Sequence, residues 1–272
     1  MEMAVAAIQP KRNVKLKQIA LPTEHGSWGF LFEPLLAGIL IAPSIASIWI
    51  LLMIVGAFLT RQPLKIYLND LQAKRNLPQT EAAFRFILIF GIISTVGLLG
   101  SLYFAKAESF YPFLLILPLG IYQIYCDASK KSRQLLPELT GAVAISSSVA
   151  AVTIAGGFSW TTSLALWTVF ICRLIPSILY VRNRLKLEKG KSYSSISVAI
   201  TNFLAFVVVG FLATNGLIPK LPVAMFFILM IRSVWGLSSY RKRVKAMKIG
   251  VWEVIYGTLT ALSVVLGFYL QI

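Results

Sequence analysis

A chain of 272 residues that is 57% hydrophobic and only 13% charged, with a mean hydropathy of +0.77, carries more apolar surface than a soluble domain of that length can bury. The excess has to face lipid, which excludes a soluble globular fold and leaves an all-α polytopic membrane bundle. The net charge of +16 does not make nucleic acid a partner, because no aromatic interleaving or nucleic-acid module accompanies it; the lipid bilayer is the partner, with an anionic lipid or phosphate headgroup beside it.

Residues 1–20 contain Lys11, Arg12, Lys15 and Lys17 but no apolar core of signal-peptide type, so they are expected to remain as a basic cytoplasmic segment of a single integral membrane domain, 1–272. Nine apolar spans follow, about 27–44, 46–61, 84–104, 110–126, 139–157, 161–181, 195–217, 221–239 and 251–271. The second and fourth are short before their polar ends begin, so those helices should continue past the hydrocarbon edge. Breakers separate the spans: Pro43-Ser44, Pro112, Pro137, Gly156-Gly157, Pro219 and Pro222. Cys126 and Cys172 each lie inside an apolar run, which argues against a disulfide framework or a zinc site.

All but four of the 26 Lys and Arg fall on the N-terminal segment and on alternate loops, one side of the bundle. The exceptions are Lys106 and Lys220 on the opposite side and Arg173 and Arg232 within spans. This asymmetry places the N-terminus and the basic loops in the cytoplasm, and nine crossings put the C-terminus on the opposite side.

Three polar islands carry the chemistry. Entering the first span are Pro22-Thr23-Glu24-His25-Gly26-Ser27-Trp28, with Glu33 a few residues further in. Thr23 or Ser27 suits a helix cap, and Trp28 an interfacial aromatic belt. His25 is the only histidine, so a histidine metal site or a Ser/His triad is not available. Glu33 needs a partner inside the bilayer, and Arg173 and Arg232 are the candidates, either as the lining of a functional cavity or as a structural ion pair. At the end of the second span Arg61, Lys65 and Asn69 share one helical stripe, with Asp70 beside it. At the end of the fourth stand Asp127, Lys130, Lys131 and Arg133, and Glu138 then suits the positive end of the next helix. Ser146-Ser147-Ser148, Thr153 and Asn202 read as helix-packing contacts. A weak echo relates Arg173, Tyr180 and Arg182 to Arg232, Tyr240 and Arg241, an arginine about two turns inside the basic end in each case.

The segment 22–28, the Arg61-Gln62-Pro63 turn, and Asp127 with Arg133 and Pro137-Glu138-Leu139 resemble the YwiC-like membrane proteins. The nine spans, with polar islands ending the second and fourth, resemble more distantly the UbiA superfamily of intramembrane prenyltransferases, and Asn69-Asp70 looks like the start of that superfamily's N-D-x-x-D-x-x-x-D motif. That resemblance implies magnesium ions holding a prenyl diphosphate between two Asp-rich motifs. Carried over, Asp70 and Asp127 match the first aspartates of the two motifs and are the candidate metal ligands. The following acidic positions are Ala73, Leu77 and Lys131. The local charge is therefore reversed, which disfavours a magnesium cluster and favours direct contact of Lys or Arg with phosphate.

The expectation is a UbiA-like bundle whose cavity binds an isoprenoid phosphate or diphosphate. Arg61, Lys65, Asn69, Asp70, Asp127, Lys130, Lys131 and Arg133 would form the headgroup site, and His25, Glu33, Arg173 and Arg232 would line the cavity. Whether it catalyses prenyl transfer is left open. The alternative is a non-catalytic lipid-binding or transport protein that has lost the metal cluster.

Overall fold

The structure, a computed structural model, describes residues 16–22, 25–75 and 77–272, with the backbone alone for His25. Its described residues form helices and turns. A short helix, α1 (Leu16–Ala20), lies against the hairpin of α3 (Ile45–Gln72) and α4 (Pro78–Phe104). Between them in the chain runs α2 (His25–Ile41). A 3-10 turn leads into α5 (Tyr111–Ala128), followed by α6 (Leu135–Ser146) and α7 (Ser148–Ala155). The remainder is α8 (Trp160–Glu188), α9 (Ser195–Thr214), α10 (Leu221–Leu237) and α11 (Ala246–Leu270).

Seven helical segments among the described residues are long and apolar enough to cross a membrane: those of α3, α4, α5, α6 with α7, α8, α9 and α11. The other two expected spans are the shorter helices α2 and α10. At 1.5 Å per residue, 17 residues reach only about 25 Å, against a hydrocarbon core of about 30 Å. Both pack among longer segments, α2 against α11 and the continuous α6–α7 segment, and α10 against α9, α11 and α8.

Local chemistry sets the helix ends. Ser44, Ser159 and Ser194 accept hydrogen bonds from backbone N–H groups three residues on, capping α3, α8 and α9. Pro78 opens α4, where its missing N–H costs nothing. This start lies six residues before the apolar span that begins at 84, because Pro78, Gln79, Thr80 and Glu81 form a polar first turn that hydropathy alone does not see. Likewise α3 continues eleven residues beyond the apolar run ending at 61, as its short apolar stretch required. Ser27 lies inside α2 and is not its cap; Thr23 lies outside the described residues.

The main core joins α7 to α11 through Val149, Leu166, Phe170, Val209, Phe226 and Val264. A second core sets Leu31 and Leu35 of α2 against Ile50, Ile54 and Phe58 of α3. Trp28 belongs to its edge, stacked on Phe32 at 5.9 Å and edge-on to Phe58 at 5.3 Å, so it is a packing residue here and not a free interfacial anchor. The α3–α4 contact is backbone-close. A Cβ on Gly97 would stand 2.2 Å from Met53 N, and one on Gly56 would stand 2.6 Å from Ser94 N, so small residues on both helices let them meet.

The basic loops are tied together at one end of the bundle. Arg61 bridges to Asp127, Arg182 to Glu138 and to the carbonyl of Arg133, and Arg184 to the carbonyl of Lys242. At the other end Tyr269 Oη donates to Leu40 O at 2.8 Å, and Phe158 meets Phe268 edge-on. Of the residues expected to pack helices, Ser146 and Thr153 make contacts between them: Trp167 Nε1 donates to Ser146 Oγ at 3.0 Å, and Thr153 Oγ1 to Ser163 Oγ at 2.9 Å, while Ser147 Oγ donates to Ala144 O one turn back. Asn202 Nδ2 donates to Val198 O within its own helix.

Candidate functional site

Two adjoining cavities open between the helices near the basic end. The first, about 410 Å³, lies between α3, α5 and the α6–α7 segment. Its walls are apolar, including Met53, Ile54, Leu64, Phe113 and Ile116, while Arg61, Lys65, Gln123 and Asp127 also line it. The second, about 310 Å³, is central, enclosed by α2, α6, α8 and α11, and presents Glu33, Glu138, Ser177, Arg182 and Glu253. Phe58, Arg61, Gly141 and Ile145 line both.

The helical stripe foreseen on α3 sets the polar end of the first cavity. Arg61 Nε donates to Asp127 Oδ2 at 2.7 Å and Nη2 to Oδ1 at 3.1 Å, a two-point grip on a carboxylate that is almost fully buried. Gln123, its amide oriented to satisfy both ends, accepts from Arg61 Nη2 at 2.6 Å and donates to Pro137 O at 2.7 Å. One turn further along α3, Lys65 Nζ donates to Ser132 Oγ at 2.6 Å. Asn69 Nδ2 donates to Lys65 O at 2.6 Å and reaches Asp127 O at 3.4 Å, while its buried Oδ1 accepts nothing.

Asp70 faces elsewhere. It accepts from Thr80 Oγ1 at 2.7 Å and from Gln79 Nε2 at 3.0 Å, joining the end of α3 to the start of α4. Thr80 Oγ1 in turn accepts from Leu77 N at 3.3 Å. The carboxylate thus holds a helix turn together, and it lines neither cavity. Lys130, Lys131 and Arg133 are exposed in the α5–α6 turn and also line neither. Among the described residues no three of His, Cys, Asp and Glu gather closely enough to hold a metal ion. Asp127 is taken up by Arg61, and Asp70 by the α4 start, so the donor set does not fit a magnesium cluster.

Behind the central cavity runs a buried chain of charges. Glu33 on α2 stands 3.8 Å from Arg173 Nε on α8. Arg173 reaches Glu253 of α11 through Nη1 to Oε2 at 3.5 Å and through Nη2 to the backbone oxygen at 2.9 Å. Arg232 of α10 and Ser177 of α8 also donate to the Glu253 carboxylate. The Arg232 guanidinium lies 4.0 Å over the Tyr180 ring and 4.8 Å from that of Tyr256. Of the two arginines expected to partner Glu33, only Arg173 does so; Arg232 pairs with Glu253. Two glycines seat Glu33: a Cβ on Gly257 would fall 1.6 Å from Oε1, and one on Gly29 3.1 Å from it.

Four residues that complete these networks, Glu253, Ser177, Gln123 and Tyr256, were not foreseen. Glu253 carried a usable signal, since it is a carboxylate within an apolar span, the same reasoning that singled out Glu33. The side chain of His25 lies outside the described residues.

A bundle of this kind, with polar cavities at one end and lipid-facing apolar flanks, defines a multi-pass helical membrane protein. Residues 21–153 match the family model described as YwiC-like protein, a stretch just short of half the chain that includes α2 to α6, most of α7 and the Arg61–Asp127 site. Comparison with curated proteins and with solved structures finds no match in either.

Proposed function

We propose that this protein binds an amphiphile with a phosphate headgroup, an isoprenoid phosphate or diphosphate in the first instance, as a lipid-binding or transport protein of UbiA-like architecture with nine crossings. The supporting observation is the pairing of an apolar cavity of about 410 Å³ with cationic groups at one end only, Arg61 and Lys65. Such a cleft suits a hydrocarbon chain along α3 and α5 and a phosphate at the loops. The YwiC-like match covers these residues, and membership of that family for the whole chain is part of the proposal. Cation-only recognition is favoured over metal-dependent prenyl transfer because Asp127 already answers Arg61 and Asp70 answers Thr80 and Gln79. The orientation in this reading places the basic loops in the cytoplasm, where an activated lipid headgroup is accessible.

Native mass spectrometry of gently extracted protein tests this. The wild type is expected to retain a phosphate-bearing lipid through magnesium chelation, and Lys65→Gln to lose it by about ten-fold, the value of one charge-assisted hydrogen bond. Lys65 is the first choice because among the described residues its side chain bonds to Ser132, so its replacement leaves the Arg61–Asp127 bridge intact. Retention that vanishes on chelation, or formation of a prenylated product by the wild type that Asp70→Ala and Asp127→Ala abolish, returns the reading to a metal-dependent enzyme. Equal retention of bulk lipid by both proteins removes the site.

A further inference from the structure

A third cavity, about 700 Å³, lies on the flank of the bundle between α10 and α11, with α8 as its floor. None of its lining residues belongs to the α3–α5–α6 cleft. It is graded along its length. Beside the 238–245 loop are Lys242, Lys248 and Tyr240; Trp235 and Trp252 come next; and further along α10 from the loop the wall is aliphatic, Ile228 and Ile231.

The cations in this pocket divide into two kinds. Arg232 is answered by Glu253 and held against Tyr180. Arg184 donates to Gly236 O, to Lys242 O and to Glu188 at 2.8 Å, so its charge and donors are committed to fixing the 238–245 loop. Lys242 and Lys248 are exposed, and among the described residues their side chains carry no ion pair. The only carboxylate lining the pocket, Glu253, is used by the arginines. The pocket therefore holds an uncompensated double positive charge at its mouth.

The apolar part is exposed as well. Trp235 is 62% and Trp252 46% accessible, and Ile228 and Ile231 about half. Trp235 stacks with Tyr240 at 6.3 Å, the kind of amphipathic aromatic pair that suits a lipid headgroup region. A soluble anion would use the lysines and leave the aliphatic wall wet. A lipid with an anionic headgroup satisfies both ends.

We infer that the α10–α11 pocket is a binding site for an anionic phospholipid, its phosphate held by Lys242 and Lys248, its glycerol region by the Trp235–Tyr240 pair and its acyl chain by Ile228 and Ile231. This site is separate from the cleft assigned above and stands whether or not that assignment does. Each lysine near an anionic surface is worth about a five-fold change in affinity, so the pair sets a preference of about twenty-five-fold for an anionic over a zwitterionic headgroup.

Tryptophan quenching by brominated lipids reads the site directly. In vesicles of phosphatidylcholine, brominated phosphatidylglycerol at low mole fraction is expected to quench wild-type emission far more than brominated phosphatidylcholine does. The preference should fall by about twenty-five-fold in Lys242→Gln/Lys248→Gln, and the excess quench should disappear in Trp235→Phe/Trp252→Phe. Both variants alter exposed side chains, and unchanged elution on size exclusion checks their fold. Equal quenching by the two brominated lipids in the wild type overturns the site. So does an anionic preference that survives the double lysine change. Loss of the phosphatidylglycerol signal on adding millimolar inorganic phosphate at constant ionic strength overturns the lipid assignment in favour of a free phosphate. Phosphate retention at Lys65 is read from different residues, so failure of either assignment leaves the other standing.

Discussion

Glu253 illustrates how one buried carboxylate can serve two arginines. Arg173 and Arg232 come from α8 and α10, and each reaches the same group on α11. Removing its charge leaves mostly buried Arg232 without its carboxylate and buried Arg173 with only the longer Glu33 contact, so Glu253→Gln is expected to destabilise by about 3–5 kcal/mol. Glu33→Gln should cost less, about 1–2 kcal/mol, because Arg173 keeps Glu253 and the Glu33 contact is long at 3.8 Å. Thermal stability in mild detergent, followed by size exclusion, ranks the two; equal losses would contradict the shared role. Gly257→Ala probes the same seat from the other side, since its new methyl occupies the position of Glu33 Oε1. It should act like a misplacement of Glu33, lowering stability further than Gly250→Ala, where a Cβ meets open space. The weak echo between Arg173 and Arg232 acquires a physical meaning here: two arginines at similar depth converge on one acceptor.

Among the elements, the α3–α4 hairpin is the most tightly specified. Helices in lipid gain little from burying apolar side chains against one another, so close backbone approach through small residues supplies the packing. Gly97→Val is therefore expected to separate α3 from α4 and lower stability by about 1–3 kcal/mol, whereas Gly91→Val, which points into open space, should be neutral. The same denaturation assay compares them, and a neutral Gly97→Val would mean the hairpin is held elsewhere. The apolar runs of α3, α4, α8 and α9 are legible because hydropathy records what touches hydrocarbon. Their ends are less so. The polar first turn of α4 is helical for reasons of capping and long-range contact, such as Asp70 with Thr80, whereas the polar continuation of α3 to Gln72 followed from its short apolar run. A window over composition does not weigh those contacts. Asp70 is the instructive case, since a resemblance to the start of an Asp-rich motif offered it as a ligand, whereas its hydrogen bonds join two helices across a loop.

At the scale of the whole molecule, the charge asymmetry makes the sidedness testable. In the proposed orientation, single cysteines at Lys106 and Lys220 react with an impermeant maleimide added to intact cells, and cysteines at Lys130 and Lys189 react only after permeabilisation. The opposite pattern would invert the bundle. The Arg61–Asp127 pair was visible in the sequence as two islands on one side; that these islands meet, and that Gln123 completes their contact, depends on how α3 and α5 are set against each other, which no local spacing encodes. Arg61 also forms a wall common to the apolar cleft and the central cavity. An anion drawn to it from one chamber leaves less positive potential for the other. The two chambers are thus not independent vessels: by thermodynamic reciprocity, an anion bound at Arg61 from one weakens anion capture in its neighbour by the same factor that it suffers in return.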